Sequence, residues 1–560
     1  MTERLPSQLD QLANQYLREF ADLDPVSASA LGLTGYDTQL TDYSPDGAAA
    51  REANRVKWLA AFRAAPISDA TDEVTMAALE YQLGLERELY AAGEHTAELN
   101  NIACPLQYCR DAFDLMPTAT EDDWANIAAR MTKIPGAMEG YIATLREGIR
   151  RGLTPAALQV DEGIKQAGEI ADPKESFFVK LAAGAIGDAA PPENLRADLA
   201  RAAQAAAAAY GKLEQFFSDE LAAHARPRDG VGRERYERFS RLFVGTKVDL
   251  DETYEWGIDE LNRMADEQAS IARIIAGPGA SVEEAIEVLD TDPARKLRGV
   301  DALHDWMQTT ADEAVAALNG KYFDIPEPML RIEAMIAPTQ SGGIYYSSPS
   351  DDFSRPGRMW WSVPPGVTEF NTWREKTTVY HEGVPGHHLQ IGMSTYCKAE
   401  LNDWRRMGAF YSGHGEGWAL YAERLMEEFG FLEDPGDRLG MVDGQRMRAT
   451  RVVLDIGVHL GKPAPASYGG GIWDVGKAWQ LMEENVHSAP EFNRFELTRY
   501  LGWPGQAPSY KLGQRLWEQL RSQTAAQQGL AFDLKEFHNR ALRLGSVPLA
   551  VLPKALGLAG

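Results

Sequence analysis

The chain has 560 residues and a net charge of −26, and 44% of its residues are hydrophobic. A chain of this length predicts two to four domain-sized units rather than one small core. The excess of acidic residues argues against nucleic-acid binding, because phosphate-backbone binding needs clustered cations. No apolar run reaches the ~18 residues of a membrane-spanning helix, so we expect no membrane partner.

Two features predict a cytoplasmic location. The chain has three cysteines, Cys104, Cys109 and Cys397, and an odd count without a pattern is typical of reduced thiols. The first twenty residues are charged at positions 3 and 4 and contain no apolar stretch, unlike a signal peptide.

The first part of the chain has the periodicity of amphipathic helices. Between residues 9 and 20, apolar side chains recur at three- and four-residue steps, which is the helical period. The alanine run Ala205 to Ala209 lies in a segment with the same period, so it predicts close helix packing. We therefore predict a mainly α fold with a helical lobe over residues 1–325 and a second lobe over residues 326–560. The two lobes could also form one continuous unit.

The segment from Pro326 to Val367 has a different composition. It is rich in proline, glycine, serine and aromatic residues with short β-like runs, and helical periodicity resumes at Thr372. We predict a small β patch beside the helix that follows, where a sheet edge would suit an extended peptide. The alternative is a surface loop cluster that is packed by its own aromatic side chains.

The stretch VYHEGVPGHHLQIG, Val379 to Gly392, resembles the zinc-peptidase signature H-E-x-x-H but has a longer spacing. On an unbroken helix, His387 would lie about 120° round the axis from His381. His388 would share the face of His381 but lie roughly 10 Å along the axis. Neither pair could then bind one zinc ion, which holds each nitrogen at about 2.0–2.1 Å.

Pro385 and Gly386 change this conclusion. Pro385 lacks the N–H that would bond the carbonyl of His381, and it disfavours helical dihedrals at the preceding residue. Gly386 permits unusual dihedrals. We therefore predict a helix that is interrupted by a looped-out insertion. An insertion of two residues would place His387 opposite His381, and one of three residues would place His388 there.

A third ligand is available in FYSGHGEGWALYAERLMEEFG, Phe410 to Gly430. Glu416 lies between two glycines at the predicted start of a helix, where Gly413, Gly415 and Gly417 loosen the entry. Two histidines and this glutamate would form a catalytic His₂Glu zinc site with an open fourth position. Glu423 could face the same way, but its predicted environment is solvent.

Three motifs in order, HEGVPGHHLQ, GEGWALYAER and RYLGWPGQAPSYKLG, resemble a large bacterial family catalogued as domain of unknown function 885. That family in turn resembles gluzincin-type metallopeptidases, including angiotensin-converting enzyme and the thermostable carboxypeptidases. The resemblance implies a two-lobed, metallopeptidase-like helical fold around a deep cleft. Gly386 and His387 match the G-H of the H-E-x-G-H pattern of these enzymes, which favours His387 as a ligand over His388. The two-residue insertion departs from that pattern.

The roles follow from this assignment. One zinc per chain would be held by His381, His387 and Glu416, with Glu382 as the general base. The resemblance implies an oxyanion donor from the C-terminal half, for which Tyr510 is preferred over Tyr500. We expect a zinc-dependent peptidase or amidase that acts on short peptides or small amides. The alternative is a non-catalytic binding protein on a peptidase scaffold with a degenerate metal site. The oligomeric state stays open.

Other polar residues were assigned from their surroundings. Arg451, Asp455 and His459 recur every four residues on one helical face, so Arg451 and Asp455 could pair with each other. His459 could contact substrate or lie in the core, and His388 and His414 could support the site from a second layer. The remaining histidines are predicted to lie at the surface: His95, His224, His304, His487 and His538.

Overall fold

The computed structural model describes residues 4–187, 189–337 and 343–558. The prediction of a mainly α fold is confirmed, because 66% of the chain is helical and 5% is strand. Among the described residues, no helix is both long and apolar enough to cross a membrane.

Helices appear throughout the described chain, and many begin at a side-chain cap. Ser7, Thr120 and Ser281 each form a capping box, which satisfies amide groups that the first helical turn leaves unpaired. The α-helices are α1 Gln8–Leu23, α2 Pro25–Ala30, α3 Pro45–Ala64, α4 Ala70–Ala92, α5 Pro105–Asp111, α6 Glu121–Met131, α7 Ile134–Arg151, α8 Ala157–Ala171, α9 Phe177–Ala182, α10 Arg196–Phe216, α11 Arg233–Val244, α12 Leu250–Ala276, α13 Val282–Thr291, α14 Val300–Leu318, α15 Thr372–Glu382, α16 His387–Tyr396, α17 Ser412–Glu428, α18 Pro435–Leu460, α19 Val475–Asn485, α20 Pro490–Gly502, α21 Ser509–Gln528, α22 Leu534–Arg543 and α23 Leu552–Ala555.

A three-stranded sheet lies within Pro326–Val367, as the composition of this segment predicts, and a second, two-stranded sheet lies outside it. The strands are β1 Lys296–Arg298, β2 Ile332–Ile336, β3 Ile344–Ser347, β4 Gly357–Trp361 and β5 Glu369–Asn371. Strand β4 is central, parallel to β2 and antiparallel to β3, while β1 pairs with β5. Residues 338–342 of the predicted patch lie outside the described residues.

The buried apolar side chains form two cores. The smaller core is built from residues between Leu99 and Leu221, and the alanine-rich helix α10 supplies much of it. The larger core combines residues 9–83 with residues 236–556 and surrounds α15, α17 and α18. The predicted division at residues 325/326 stays a prediction. The histidine motif therefore lies inside the larger core, where buried polar groups must find protein partners.

Candidate metal centre

The histidine motif is a broken helix, as Pro385 predicts. Helix α15 ends at Glu382 and α16 begins at His387, and the Val384–Pro385 peptide bond is cis. The loop is held by the Trp418 indole, which donates to the Pro385 carbonyl at 2.8 Å, and by the Gly386 amide, which donates to the Tyr380 carbonyl at 3.1 Å.

Position 386 must be glycine because the backbone of α15 lies too close for a side chain. A Cβ atom at this position would overlap the carbonyl oxygens of His381 and Tyr380. The glycine therefore lets the start of α16 press against the end of α15. This contact brings the His381 and His387 rings together, edge to face, with centroids 4.9 Å apart.

Glu416 joins the two imidazoles. Its Oε2 atom lies 3.4 Å from Nε2 of His381 and 3.6 Å from Nε2 of His387. Two atoms that each lie about 2.0–2.1 Å from one tetrahedral zinc ion are roughly 3.3–3.4 Å apart. Both distances from Oε2 are therefore close to those around a single ion. The assignment of these three atoms as ligands stays a prediction.

Glu382 lies beside this group. One of its carboxylate oxygens and ring nitrogens of His381 and His387 all lie within 4.8 Å of one another. Its Oε2 atom is buried without a hydrogen-bond partner in the described part of the chain. A buried, unpartnered carboxylate oxygen is available to accept a proton or hydrogen bond from a molecule that enters the site.

Glu423 is buried, and the prediction that it is solvated is wrong. Its side chain is 2% exposed, and its Oε1 atom accepts from Nδ1 of His381 at 2.8 Å. This hydrogen bond leaves Nε2 of His381 free as a metal donor, which is how carboxylates orient metal-binding histidines. The spacing in the sequence could have predicted this position, since Glu423 follows Glu416 by seven residues and so lies on the same face of the helix.

A buried polar chain supports Glu423 from behind. The Gln445 amide donates to Oε2 of Glu423 at 3.3 Å, and the Lys511 ammonium donates to Oε1 of Gln445 at 2.6 Å. Lys511 also pairs with Glu260 at 2.9 Å. Since the ammonium can only donate, it fixes which end of the Gln445 amide faces Glu423. Sequence reasoning missed Gln445 and Lys511, whose partners are distant in the chain.

The glycines before and after Glu416 do not loosen the helix entry as expected. Gly413 and Gly417 lie within α17, and their backbones contact Val244 and Gly513, where any Cβ would overlap. Their role is to let α21 approach α17 closely. Since α21 carries Tyr510 at its second position, this contact brings Tyr510 towards Glu416.

The Tyr510 hydroxyl has no hydrogen-bond partner among the described residues, and the Arg451 guanidinium lies 4.9 Å from its ring centroid. Burial, followed by the negative charge of Glu416, raises the pKa of Tyr510 to about 12. The hydroxyl therefore stays protonated at neutral pH and can donate a hydrogen bond.

The electrostatics of the cluster favour added positive charge. Burial alone would lower the pKa of His381, but its hydrogen bonds to Glu416 and Glu423 raise it to about 10. Burial opposes ionisation of Glu416, yet both imidazoles lower the pKa of this carboxyl. For Glu382 burial dominates and raises the pKa. Three carboxyl groups around two imidazoles are a donor set that suits a dication.

His388 and His414 are not part of the cluster. Nε2 of His388 bonds the Met329 carbonyl at 2.9 Å and its Nδ1 bonds the Tyr346 hydroxyl at 3.0 Å. Nδ1 of His414 bonds the Val547 carbonyl at 3.0 Å. With both ring nitrogens of His388 occupied, the geometry favours His387 as the metal ligand.

Arg451 and Asp455 do not pair with each other. The Arg451 guanidinium donates to the Tyr500 hydroxyl at 2.7 Å and to Glu496 at 3.0 Å. Asp455 accepts from the Tyr236 hydroxyl and from the Gly505 amide. The four-residue spacing placed both residues on one face of α18, but each reaches a different neighbouring element.

His459 and Tyr500 lie outside the cluster as well. Nε2 of His459 bonds the Tyr500 carbonyl at 3.1 Å, and the His459 ring stacks on Tyr236. The Tyr500 hydroxyl donates to Glu496 at 2.6 Å. Both side chains are thus bonded within the core, although Nδ1 of His459 is buried without a partner among the described residues.

The prediction of a surface position is wrong for one histidine. His538 is fully buried, bonds the Tyr421 hydroxyl at 2.9 Å and stacks on Phe323. His224 is exposed, and the other three histidines assigned to the surface are partly exposed. The aromatic surroundings of His538 come from elements that are distant in the chain, so its local sequence gave no sign of burial.

Arg448 is a further residue that sequence reasoning missed. It lies on α18 three residues after Gln445 and three before Arg451, so it shares their face. Its positive charge partly opposes the rise that burial causes in the pKa of Glu382 and of Tyr510. Its Nη1 donates to the Gly444 carbonyl at 3.2 Å. Within the described ranges it forms no ion pair, and its Nε is buried without a partner.

Comparison with known proteins gives a family and a fold. A family model described as "Bacterial protein of unknown function (DUF885)" matches residues 25–556. No curated protein matches the chain. A "putative lipoprotein" from Colwellia psychrerythraea has a similar crystal structure, with 24% identity, 98% coverage of both chains and a TM-score of 0.85. A "putative lipoprotein of unknown function" from Shewanella oneidensis is 17% identical over 98% of this chain and 99% of that chain, with a TM-score of 0.73.

These comparisons contradict the predicted cytoplasmic location, and that prediction is wrong. Both similar structures are described as lipoproteins. The prediction rested on unpaired cysteines and on the first twenty residues. The three cysteines are free and buried, but buried thiols are protected by packing in any compartment, so they carry no information on location.

Proposed function

We propose that this chain, which belongs to the bacterial family DUF885, is a zinc-dependent hydrolase that cleaves peptide or amide bonds. The observation that carries the proposal is the position of Oε2 of Glu416, 3.4 Å and 3.6 Å from Nε2 of His381 and His387. This is the spacing of ligand atoms around one tetrahedral zinc ion.

His381, His387 and Glu416 would hold the ion. Glu423 would keep His381 in the tautomer that presents Nε2, since the Nδ1 proton is bonded to its carboxylate. Zinc in such a site supplies Lewis acidity, which activates water and polarises a carbonyl group.

The chain's own residues provide the proton transfers. Glu382 would accept a proton from the attacking water and deliver it to the leaving nitrogen. Its buried, unpartnered Oε2 atom supports this role. The Tyr510 hydroxyl stays protonated and has no hydrogen-bond partner among the described residues. It would donate to the carbonyl oxygen as negative charge develops.

The burial of the site supports short substrates. The side chains of His381 and His387 are 6% and 9% exposed, whereas that of Glu416 is 18% exposed. Access is therefore from the side of Glu416 and Tyr510. A gluzincin-like cleft between two lobes is part of this proposal, and a flexible peptide would fit such an entrance better than a folded protein.

Metal analysis of the purified protein tests the first half of the proposal. We expect about one zinc per chain, and we expect His381→Ala and Glu416→Ala to lose stoichiometric binding, because each removes one of three ligands. The matched pair His387→Ala and His388→Ala assigns the second histidine. Retention of zinc by all three ligand variants would refute the site.

Hydrolysis of a mixed peptide pool, followed by mass spectrometry, tests the second half. Cleavage that requires zinc supports the hydrolase. A protein that holds zinc and cleaves nothing would instead be a binding protein on a peptidase scaffold.

A further inference from the structure

A cavity of about 390 Å³ shares no lining residue with the metal cluster. Helices α3, α4 and α11 form much of its wall, and the segment Leu501–Pro504 closes one side. That segment belongs to the motif RYLGWPGQAPSYKLG, whose G-W-P part the proposed hydrolysis does not use.

The cavity has an unusual charge distribution for an acidic protein. Two of its four arginines are neutralised, since Arg55 pairs with Glu86 at 2.7 Å and Arg235 pairs with Glu94 at 2.6 Å. The other two, Arg51 and Arg226, form no ion pair within the part of the chain that the structure describes.

Backbone carbonyls hold these two arginines in place. Arg226 donates from Nε to the Thr154 carbonyl at 3.0 Å and from Nη1 to the Gly230 carbonyl at 2.7 Å. Arg51 donates from Nη1 to the Asp42 carbonyl at 2.7 Å. Burial lowers the pKa of Arg226 to about 10, so its charge remains at neutral pH. Each guanidinium keeps free N–H groups for an anion.

Several other polar atoms line the cavity without a hydrogen-bond partner among the described residues. Nδ1 of His95 and Oε1 of Gln159 are buried and unpartnered, and neither the Glu98 carboxyl nor the Tyr108 hydroxyl has a side-chain hydrogen bond within the described chain. Burial raises the pKa of Glu98 to about 7, so this carboxyl can donate a hydrogen bond at or below neutral pH.

Aromatic side chains complete the wall. Tyr90, Phe239, Phe243 and Trp503 line the space, and Phe243 meets Trp503 edge to face at 5.3 Å. An apolar cavity of this size with a few convergent polar groups is the usual form of a small-molecule site.

We propose that this cavity binds a small organic carboxylate with an aromatic or branched apolar body. Arg51 and Arg226 bind the carboxylate, and the aromatic residues enclose the apolar part. The ligand could be the far end of a substrate or a separate metabolite. A structural link to the metal cluster exists, because Leu501 follows Tyr500, which accepts from the Arg451 side chain that covers Tyr510.

Calorimetric titration of the full-length protein with N-acetyl-L-phenylalanine tests this proposal, with the uncharged N-acetyl-L-phenylalanine amide as the matched ligand. We expect the acid to bind at least tenfold more tightly than the amide. Arg226→Gln and Arg51→Gln should each reduce the affinity for the acid at least tenfold. Arg228→Gln is the control, since Arg228 is exposed and does not line the cavity. This variant should bind the acid with the affinity of the parent.

Equal affinity for acid and amide, no binding of either, or full binding by both arginine variants would overturn the proposal. Arg226→Lys, which keeps the charge, should bind the acid more tightly than Arg226→Gln. Circular dichroism verifies that both variants are folded.

The titration is repeated on Glu416→Ala, which lacks a metal ligand. Unchanged affinity places the acid in the cavity whether or not the chain is a hydrolase, and lost affinity would place it at the metal cluster and refute the proposal. Competitive inhibition of peptide turnover would identify the ligand as part of a substrate, whereas unchanged turnover would identify a separate metabolite. Both of these results support the site.

Discussion

Two regions of this protein bring charged residues into one core, with different results. In the histidine motif, the end of α15, the start of α16 and the start of α17 direct their polar side chains to one point. In α18, Arg451 and Asp455 share a face but bond separate neighbours. Among the described residues, the first region brings ring nitrogens and a carboxylate oxygen within 4.8 Å of one another. The second region bonds its side chains to different neighbours and leaves only single atoms of Arg451, Asp455 and His459 without a partner.

The difference shows that regular spacing on one helix does not create a site. Convergence requires elements from different parts of the chain and a backbone that allows close approach, as Gly386 does. We therefore expect substitutions in the first region to change metal binding or turnover with little loss of stability. Substitutions in the second region should do the reverse.

The largest expected effect is on catalysis. Glu382→Gln keeps the shape of the side chain but removes its basicity, so peptide turnover should fall by ~10²-fold or more. Zinc content, measured on the same samples, should stay near one per chain. Glu375→Gln is the control, since it lies on the same helix outside the cluster. Equal turnover in parent and Glu382→Gln would exclude this mechanism.

The opposite result is expected for α18. Arg451→Met removes one partner of the buried Glu496 carboxylate, which keeps its ion pair with Arg499 at 2.8 Å. The expected cost is therefore about 1.5–3 kcal/mol, that of a hydrogen bond to a charged group. Denaturant unfolding should show this loss while zinc content is unchanged. Arg298→Met, at a side chain that is 80% exposed, should change stability by less than ~0.5 kcal/mol. Loss of zinc without loss of stability would remove the contrast between the regions.

The pH dependence of stability sharpens the comparison. Burial lowers the pKa of His459 to about 4 and that of His538 to about 3. A histidine with a depressed folded-state pKa contributes stability that is present above its unfolded pKa of ~6.5 and is lost as the pH falls through the folded value.

The free energy of unfolding should therefore fall between pH 6.5 and pH 4, by at most about 3 kcal/mol for each of these histidines. His538→Phe should reduce this fall, as measured by denaturant unfolding over the pH series. His224→Phe, at an exposed position, should leave the fall unchanged. A pH profile that is identical in parent and His538→Phe would contradict the burial argument.

The smallest effect concerns the polar chain behind His381. Glu423→Gln and Lys511→Met should each weaken zinc binding by about 10–100-fold, as is typical for residues that orient a metal ligand. Glu260 keeps its ion pair with Arg263 at 2.7 Å, so Lys511→Met does not leave the Glu260 carboxylate unpaired. Competition with a chelator measures the affinity, and Lys398→Met, at a half-exposed side chain, is the control. Parent-like affinity in Glu423→Gln would show that this carboxylate has no orienting role.

The sequence predicted those features that depend on local chemistry. The helical period, the break at Pro385, the β-bearing segment and the restart at Thr372 all follow from residue types within one or two turns. Features that depend on distant contacts were not predictable in this way. Glu423 looked solvated beside Arg424, and His538 looked exposed, because their partners lie many residues away.

The close crossing of α17 and α21 has a consequence for how the protein can move. Gly413, Gly417 and Gly513 bring the two backbones into direct contact, so we expect the two helices to move together. We therefore expect the separation of Glu416 and Tyr510 to change little in any motion that carries these helices. A bulky residue at Gly513 would overlap the backbone of Gly413 and Gly417 and should separate the carboxylate from the tyrosine.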